Sequence, residues 1–328
     1  MISLLLSEKK EDTIIGNKDL AGKQLLQWPD VFADISNVNL FQGEPVLTEE
    51  CMTLEPAESV SKLDGGKLKE MRSDIHMKYH HGKDTVFFRI ENQSDICLTM
   101  PLRDMGYQYA GYEKQLQHLK DQNCQKGVTP KRYAHELVDG QKLKPIVTMV
   151  LNYSQEKWES PITLTDMLEL PTEMKEELMP WIAGYSIYVV NLAQQDEETI
   201  CKYQSDFRLV VEFLTNPKNL LLQKWSKENR KVRHPVELAD MLYALSKDER
   251  YQLICEELSE KDMKGEVRMC ELLDIVENRG LQQGQEQAFS KLNTLIRKLA
   301  AEERYEDLVR SAADSEYQKE LMRKYQIT

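Results

Sequence analysis

The chain has 328 residues, 41% hydrophobic and 30% charged, with 14 Gly and 11 Pro; this supports a sizeable buried core and excludes a wholly disordered, collagen-like or low-complexity protein. Its 43 Lys and Arg stand against 55 Asp and Glu, a net charge of −12 that favours solubility and argues against a generic basic coat for nucleic acid. Cys51, Cys97, Cys124, Cys201, Cys255 and Cys270 form no CxxC pair, so neither a zinc ribbon nor a disulfide scaffold is indicated, and a reducing interior fits.

Met1-Ile2-Ser3-Leu4-Leu5-Leu6 is too short an apolar run for a signal peptide. Nowhere do about 18 apolar residues run together, so a cytoplasmic protein without a membrane span is expected. Charge is uneven along the chain. Residues 60–150 hold 15 Lys and Arg against 11 Asp and Glu, and include His76, His80, His81, His118 and His135. Either surface composition varies by chance here, or this segment faces a polyanion while its acidic flanks keep the chain soluble.

In chain order, residues 18–41 read as helical with a break at Trp28-Pro29, since Pro29 suits the first turn of a new helix. Val31, Phe32, Ile35, Val38 and Leu40 supply its apolar face. Two extended runs follow, over 69–79 and 85–91, the second alternating with a period of two. Helical spacing returns from Pro101 to Asn123 through Met105, Tyr109, Tyr112, Leu116 and Leu119. Residues 145–151 form a compact apolar run expected as a buried central strand, and 186–190 a further strand. Beyond 205 only helical patterns are read. The expectation is an α/β domain over 18–200 followed by a helical region over 205–328.

The two extended runs are joined by Gly82-Lys83. A two-residue turn there, with Gly at the first position of a type II′ turn, pairs His81 with Asp84 and Asp74 with Glu91. Opposed residues on an antiparallel pair project to one face with Cβ atoms roughly 4.5–5.5 Å apart. Gln93, two residues after Glu91, points to the same face. Two carboxylates this close raise the cost of ionising both. A divalent cation removes that conflict, and two carboxylates completed by waters or substrate phosphates suit Mg²⁺. Paired acids also occur on plain solvent faces.

Met71-Arg72-Ser73-Asp74-Ile75, Ile90-Glu91-Asn92-Gln93-Ser94, Met100-Pro101-Leu102-Arg103 and a helix bearing Tyr107, Tyr109, Tyr112 and Gln115 follow in order. Lys144-Pro145-Ile146-Val147, Leu151-Asn152-Tyr153, Trp158, Pro161, Leu164 and Asp166-Met167-Leu168 continue the series, with Glu277-Asn278-Arg279-Gly280 and Gly284 as a late echo. This ordered set resembles the recombination-promoting nuclease (Rpn) and transposase-like family of PD-(D/E)XK nucleases over most of residues 30–170.

The resemblance implies a restriction-endonuclease-like αβββαβ core that presents acids to one or two metal ions for hydrolysis of DNA phosphodiesters, in recombination or DNA mobility. It implies Asp74 as the first strand acid, Glu91 as the acid of the (D/E)xK element, the backbone carbonyl of Asn92 as a further Mg²⁺ ligand, Gln115 as a polar residue near the site, and Asp34 as the first-helix acid. Gln93 stands where the signature has Lys; it can hydrogen-bond water but supplies no charge. The alternative is a catalytically inactive nuclease fold serving as a DNA-associated or protein-interaction module.

Other features have plainer readings. His76 shares the Asp74 face and could meet a phosphate, while His80 and His81 are exposed polar residues near a turn. Lys126, Lys131 and Arg132 could border a DNA groove or simply a solvated loop. Gly280 and Gly284 sit four apart on a helix, where Gly costs stability, so close helix packing is expected within the chain or between copies as a homo-oligomer. No phosphate-binding Gly-rich loop, nucleophile elbow or zinc-finger spacing occurs.

Overall fold

The structure, a computed structural model, describes residues 20–327 apart from 57, 63–67, 73, 129–136, 139, 217–224, 226–229 and 261–264. The chain opens with helix α1 over 20–26, and Pro29 then starts α2 (Pro29–Leu40) at its first position, where no backbone N–H is needed. The side-chain amide of Asn37 brackets Leu47, donating to its carbonyl at 2.8 Å and accepting from its N–H at 2.9 Å, so the segment leaving α2 is pinned.

A five-stranded mixed sheet follows, in the order β1 (Met52–Glu55), β4 (Ile75–His81), β5 (Asp84–Gln93), β6 (Ile146–Asn152), β7 (Tyr188–Asn191). β2 (Glu58–Lys62) and β3 (Leu68–Arg72) form a separate antiparallel pair. The extended run expected over 69–79 is therefore two strands, with a bend at Asp74 between them. β1, β4 and β5 are antiparallel; β5, β6 and β7 are parallel. A parallel pair requires a crossover, and α3 (Met100–Gln125) lies between β5 and β6 in the chain.

The hairpin has the register the sequence indicated, with His81 opposite Asp84 and Ile75 opposite Ile90. Gly82 takes a φ of +62° and Lys83 does not follow it into the left-handed region, the combination of a type II′ turn.

Both faces of the sheet are covered. Met77, Phe88, Ile90, Met149 and Leu151 join α1 and α2 through Leu25, Leu26, Phe32 and Ile35 in the main apolar core. On the other face, Val150 packs with Met100 and Tyr107 of α3 and with Trp158. Trp158 is thus a core residue, as its apolar bulk favours.

The division expected near residue 205 does not separate two cores. Phe207, Val210, Leu238, Met241 and Leu272 belong to the same cluster as α1, α2 and the sheet. Nor is the region past 205 wholly helical: Lys231–Val232 pairs with Val267–Arg268. Gly280 and Gly284 fall inside the 33-residue helix Met269–Ala301. Its end packs Leu295 and Leu299 against Leu321 in a small separate cluster. Among the described residues, no helix is long and apolar enough to cross a membrane.

Candidate functional site

Alternation along β5 points Phe87, Arg89, Glu91 and Gln93 toward α3, and Phe88, Ile90 and Asn92 toward α1 and α2. Because α3 covers the first set, Arg89 and Glu91 are each only 1% exposed despite their charge. Buried charges require partners. Arg89 meets Asp104 of α3, also 1% exposed, at 3.7 Å, and donates from Nη2 to the carbonyl of Tyr107 at 3.2 Å. Tyr185 donates to Asp104 Oδ2 at 2.7 Å. Burial pushes the Asp104 carboxyl up, against the pull of Tyr185 and Arg89.

The helix can sit this close because of Gly111. A Cβ there would stand 2.6 Å from Ile146 Cδ1 and 3.5 Å from Arg89 Nη2.

Asp74 and Glu91 come together as the hairpin register required. The backbone N–H of Asp74 donates to Glu91 Oε1 at 3.3 Å, and the N–H of Asn92 donates to Asp74 Oδ2 at 2.6 Å. Burial raises the Glu91 pKa well above the ordinary carboxylate range; the Asp74 charge adds to the rise and Arg89 opposes it. The other oxygen of Asp74 meets Lys23 Nζ of α1 at 3.0 Å. Gln93 is half-buried on the Glu91 face, and its carbonyl accepts from the N–H of Tyr153 at 2.9 Å.

Asn92 points its side chain the other way, into the contact with α1, and both of its amide atoms are buried without a hydrogen-bond partner. A Cβ on Gly22 would lie 3.3 Å from Asn92 Nδ2, so glycine lets α1 approach β5 closely. The Tyr153 hydroxyl is likewise buried and unpartnered, and burial followed by the Asp74 charge raises its pKa.

Two residues implied by the resemblance lie elsewhere. Asp34 turns toward the loop ahead of helix Phe207–Thr215, where its carboxylate accepts from the N–H groups of Gln204 at 3.0 Å and Ser205 at 2.8 Å. The phase of α2 sets this direction, so the Asp34 carboxylate is engaged by the chain ahead of helix Phe207–Thr215. Gln115 brackets Lys144, donating to its carbonyl at 3.1 Å and accepting from its N–H at 2.7 Å. Lys144 leads into Ile146 opposite Phe87, whereas Glu91 is opposite Val150. Four residues along a strand separate the two positions by roughly 13 Å.

His76 also has a structural partner: Arg89 Nε–H donates to its Nε2. That leaves Nε2 without a proton, and burial followed by the Arg89 charge lowers the His76 pKa to about 3. His76 is therefore neutral. Lys126 caps the exposed end of α3, while Lys131 and Arg132 lie outside the described residues.

Lys23 is the functional candidate that sequence reasoning missed. Its signal was Gly22, a residue that weakens a helix by about 1 kcal/mol relative to Ala unless close packing requires it.

Among the described residues, no three His, Cys, Asp or Glu side chains converge as a ready-made metal cage. The donors at Asp74 and Glu91 nevertheless fit Mg²⁺, which takes one or two carboxylates and completes its shell with waters and substrate phosphates. A buried acid whose pKa is raised by burial and further by an acidic neighbour is also the conflict that a cation relieves. Comparison with family models, curated proteins and solved structures returned no match.

Proposed function

We propose that this chain is a Mg²⁺-dependent DNA endonuclease with a PD-(D/E)XK-like αβββαβ core, acting in recombination or DNA mobility. The observation that carries the reading is the junction of Asp74 and Glu91 across the β4–β5 hairpin, with Glu91 buried against a second acid. The order of helix, three antiparallel strands, crossover helix and parallel strand is compatible with that core.

In this reading Asp74 and Glu91 hold the metal, with the carbonyl of Asn92 as a further ligand. A bound Mg²⁺ supplies a lowered water pKa and neutralises charge on the scissile phosphate. Gln93 orients the water through its amide. Lys23 brings the positive charge that Gln93 lacks, its ammonium standing 3.0 Å from Asp74 Oδ1. Arg89, anchored by Asp104, moderates the charge on Glu91 from below.

A second reading, a nuclease fold kept as a DNA-associated or protein-interaction module, draws on the same ion pair. Lys23 already neutralises Asp74 without a metal, and Gln93 carries no charge.

Supercoiled plasmid incubated with the purified protein, in Mg²⁺ or EDTA, separates the two. Metal-dependent nicking, lost in folded Asp74→Asn and Glu91→Gln variants, is expected of the nuclease. No cleavage by the wild type, or equal cleavage by all three proteins, favours the module.

A further inference from the structure

A cavity of about 440 Å³ lies between α3 and the β4–β5–β6 face, reaching from His76 and Arg89 toward the turn end of the hairpin. Lys78, Lys114, Lys142, Lys144 and His118 line it, and Glu55 is its one carboxylate among the described residues. None of these four lysines is ion-paired among the described residues, in contrast to Lys23 at the acid pair. Several like-charged ammonium groups around one cavity raise its positive potential and favour an anion there. Here they gather in a chain whose overall charge is −12.

The rest of the lining is mixed: His76, Thr85, Arg89 and Gln122 are polar, and apolar side chains stand among them. Phe87, Leu119 and Ile146 face the cavity between the lysines. A size of several hundred Å³, apolar side chains and a few convergent charges are the marks of a small-molecule site. The lysines suit phosphate oxygens, Phe87, Leu119 and Ile146 offer apolar contact to a base, and Glu55 offers an acceptor to a ring or exocyclic N–H. Gln115 lines the cavity too, but its amide is spent on Lys144, which fixes the lysine-bearing segment against α3.

We propose that this cavity binds a phosphorylated nucleoside, its phosphate held by Lys78, Lys114, Lys142 and Lys144 and its base against Phe87, Leu119 and Ile146. The ligand is either a free nucleotide or the 5′-phosphorylated terminal residue of a strand. The site does not depend on the acid pair.

Calorimetry on the full chain in EDTA, where cleavage does not enter, tests it. The probes are dAMP, deoxyadenosine, inorganic phosphate, and a short oligonucleotide with either a 5′-phosphate or a 5′-hydroxyl. The proteins are wild type, Lys114→Glu/Lys142→Glu, and Lys126→Glu/Lys175→Glu, which changes net charge equally outside the cavity. All substituted positions are exposed, and circular dichroism checks that each variant folds.

The expected result is saturable binding of dAMP, or of the 5′-phosphorylated oligonucleotide alone, weakened at least tenfold by the cavity variant and little by the control. Binding of dAMP identifies the free nucleotide as a source, and binding only of the phosphorylated oligonucleotide identifies the strand end. Deoxyadenosine and phosphate should each bind at least tenfold more weakly than the best probe. Absence of binding by both dAMP and the phosphorylated oligonucleotide overturns the proposal, as does equal weakening by the two variants. Inorganic phosphate binding as tightly as dAMP overturns the role of the apolar side chains.

Discussion

The backbone N–H of Asp74 donates to the carboxylate of Glu91, so the second acid is held by the main chain of the first. Asn92, next to Glu91, returns a bond to the carboxylate of Asp74. This reciprocal arrangement fixes two like-charged groups beside each other at the start of β4, where α1 and α3 both approach. The fold holds them there against their electrostatic preference.

Removing that conflict should separate stability from activity. Glu91→Gln keeps the shape and deletes a buried ionisable group, so the metal-free melting temperature should hold or rise at pH 8. Mg²⁺-dependent cleavage should fall at least a hundredfold, the scale of losing one charge-stabilising group. A large drop in melting temperature would mean that the carboxylate is structural.

The raised Glu91 pKa has a pH signature. The native state retains a proton that the unfolded chain releases, so this group's stabilisation is full below the ordinary carboxylate value and is lost as pH rises through the folded value. Mg²⁺ binding should displace that proton. Calorimetry in buffers of different ionisation enthalpy should show proton release and an affinity that climbs with pH. A pH-independent affinity would remove Glu91 from the ligand set.

Lys23→Gln tests the charge assigned to α1. Cleavage should fall about ten- to hundredfold through kcat, while Mg²⁺ binds at least as tightly because Asp74 loses a competing cation. Lys23→Arg should restore part of the rate. Weaker metal binding in Lys23→Gln would show that the ammonium only holds Asp74 in place.

Arg89 and Asp104 form a buried pair between the sheet and α3. Arg89→Ala should cost about 3–5 kcal/mol in denaturant unfolding, because it leaves Asp104 buried without its partner. Replacing both, as Arg89→Met with Asp104→Leu, should recover much of that loss. No recovery in the double variant would place the contribution of Arg89 in its contacts with His76 and Tyr107 instead.

Asp30 ties α2 to the segment before helix Pro235–Ser246 through His234 at 3.0 Å and Arg233 at 3.0 Å. Burial works against its ionisation, yet the His234 hydrogen bond and charge, with Arg233, hold its carboxyl below the ordinary range. Its contribution is therefore present above the unfolded carboxylate value and is lost as pH falls through the folded one. Asp30→Asn should lower the melting temperature at pH 7 and much less at pH 3. An equal loss at both values would exclude the ion pair as the cause.

The sequence by itself determined the main helices, the hairpin and the central strand, and one long-range relationship. Pro29, the 145–151 apolar run and the spacing along α3 located helices and a central strand because local periodicity records which side is buried. Gly82-Lys83 fixed the hairpin register, and with it the meeting of Asp74 and Glu91, because a two-residue turn leaves one pairing. Only the tertiary structure decided what lies over that pair. Burial of Arg89 and Glu91 was hidden because alternation shows which residues share a face, and not whether a helix such as α3 covers it. The approach of Lys23, the diversion of Asp34 to Gln204 and Ser205, and the bracket of Gln115 on Lys144 depend on helix phase and docking. Those are set by contacts between segments far apart in the chain; Gly22 marks a close approach of α1, but no local pattern says what that helix meets.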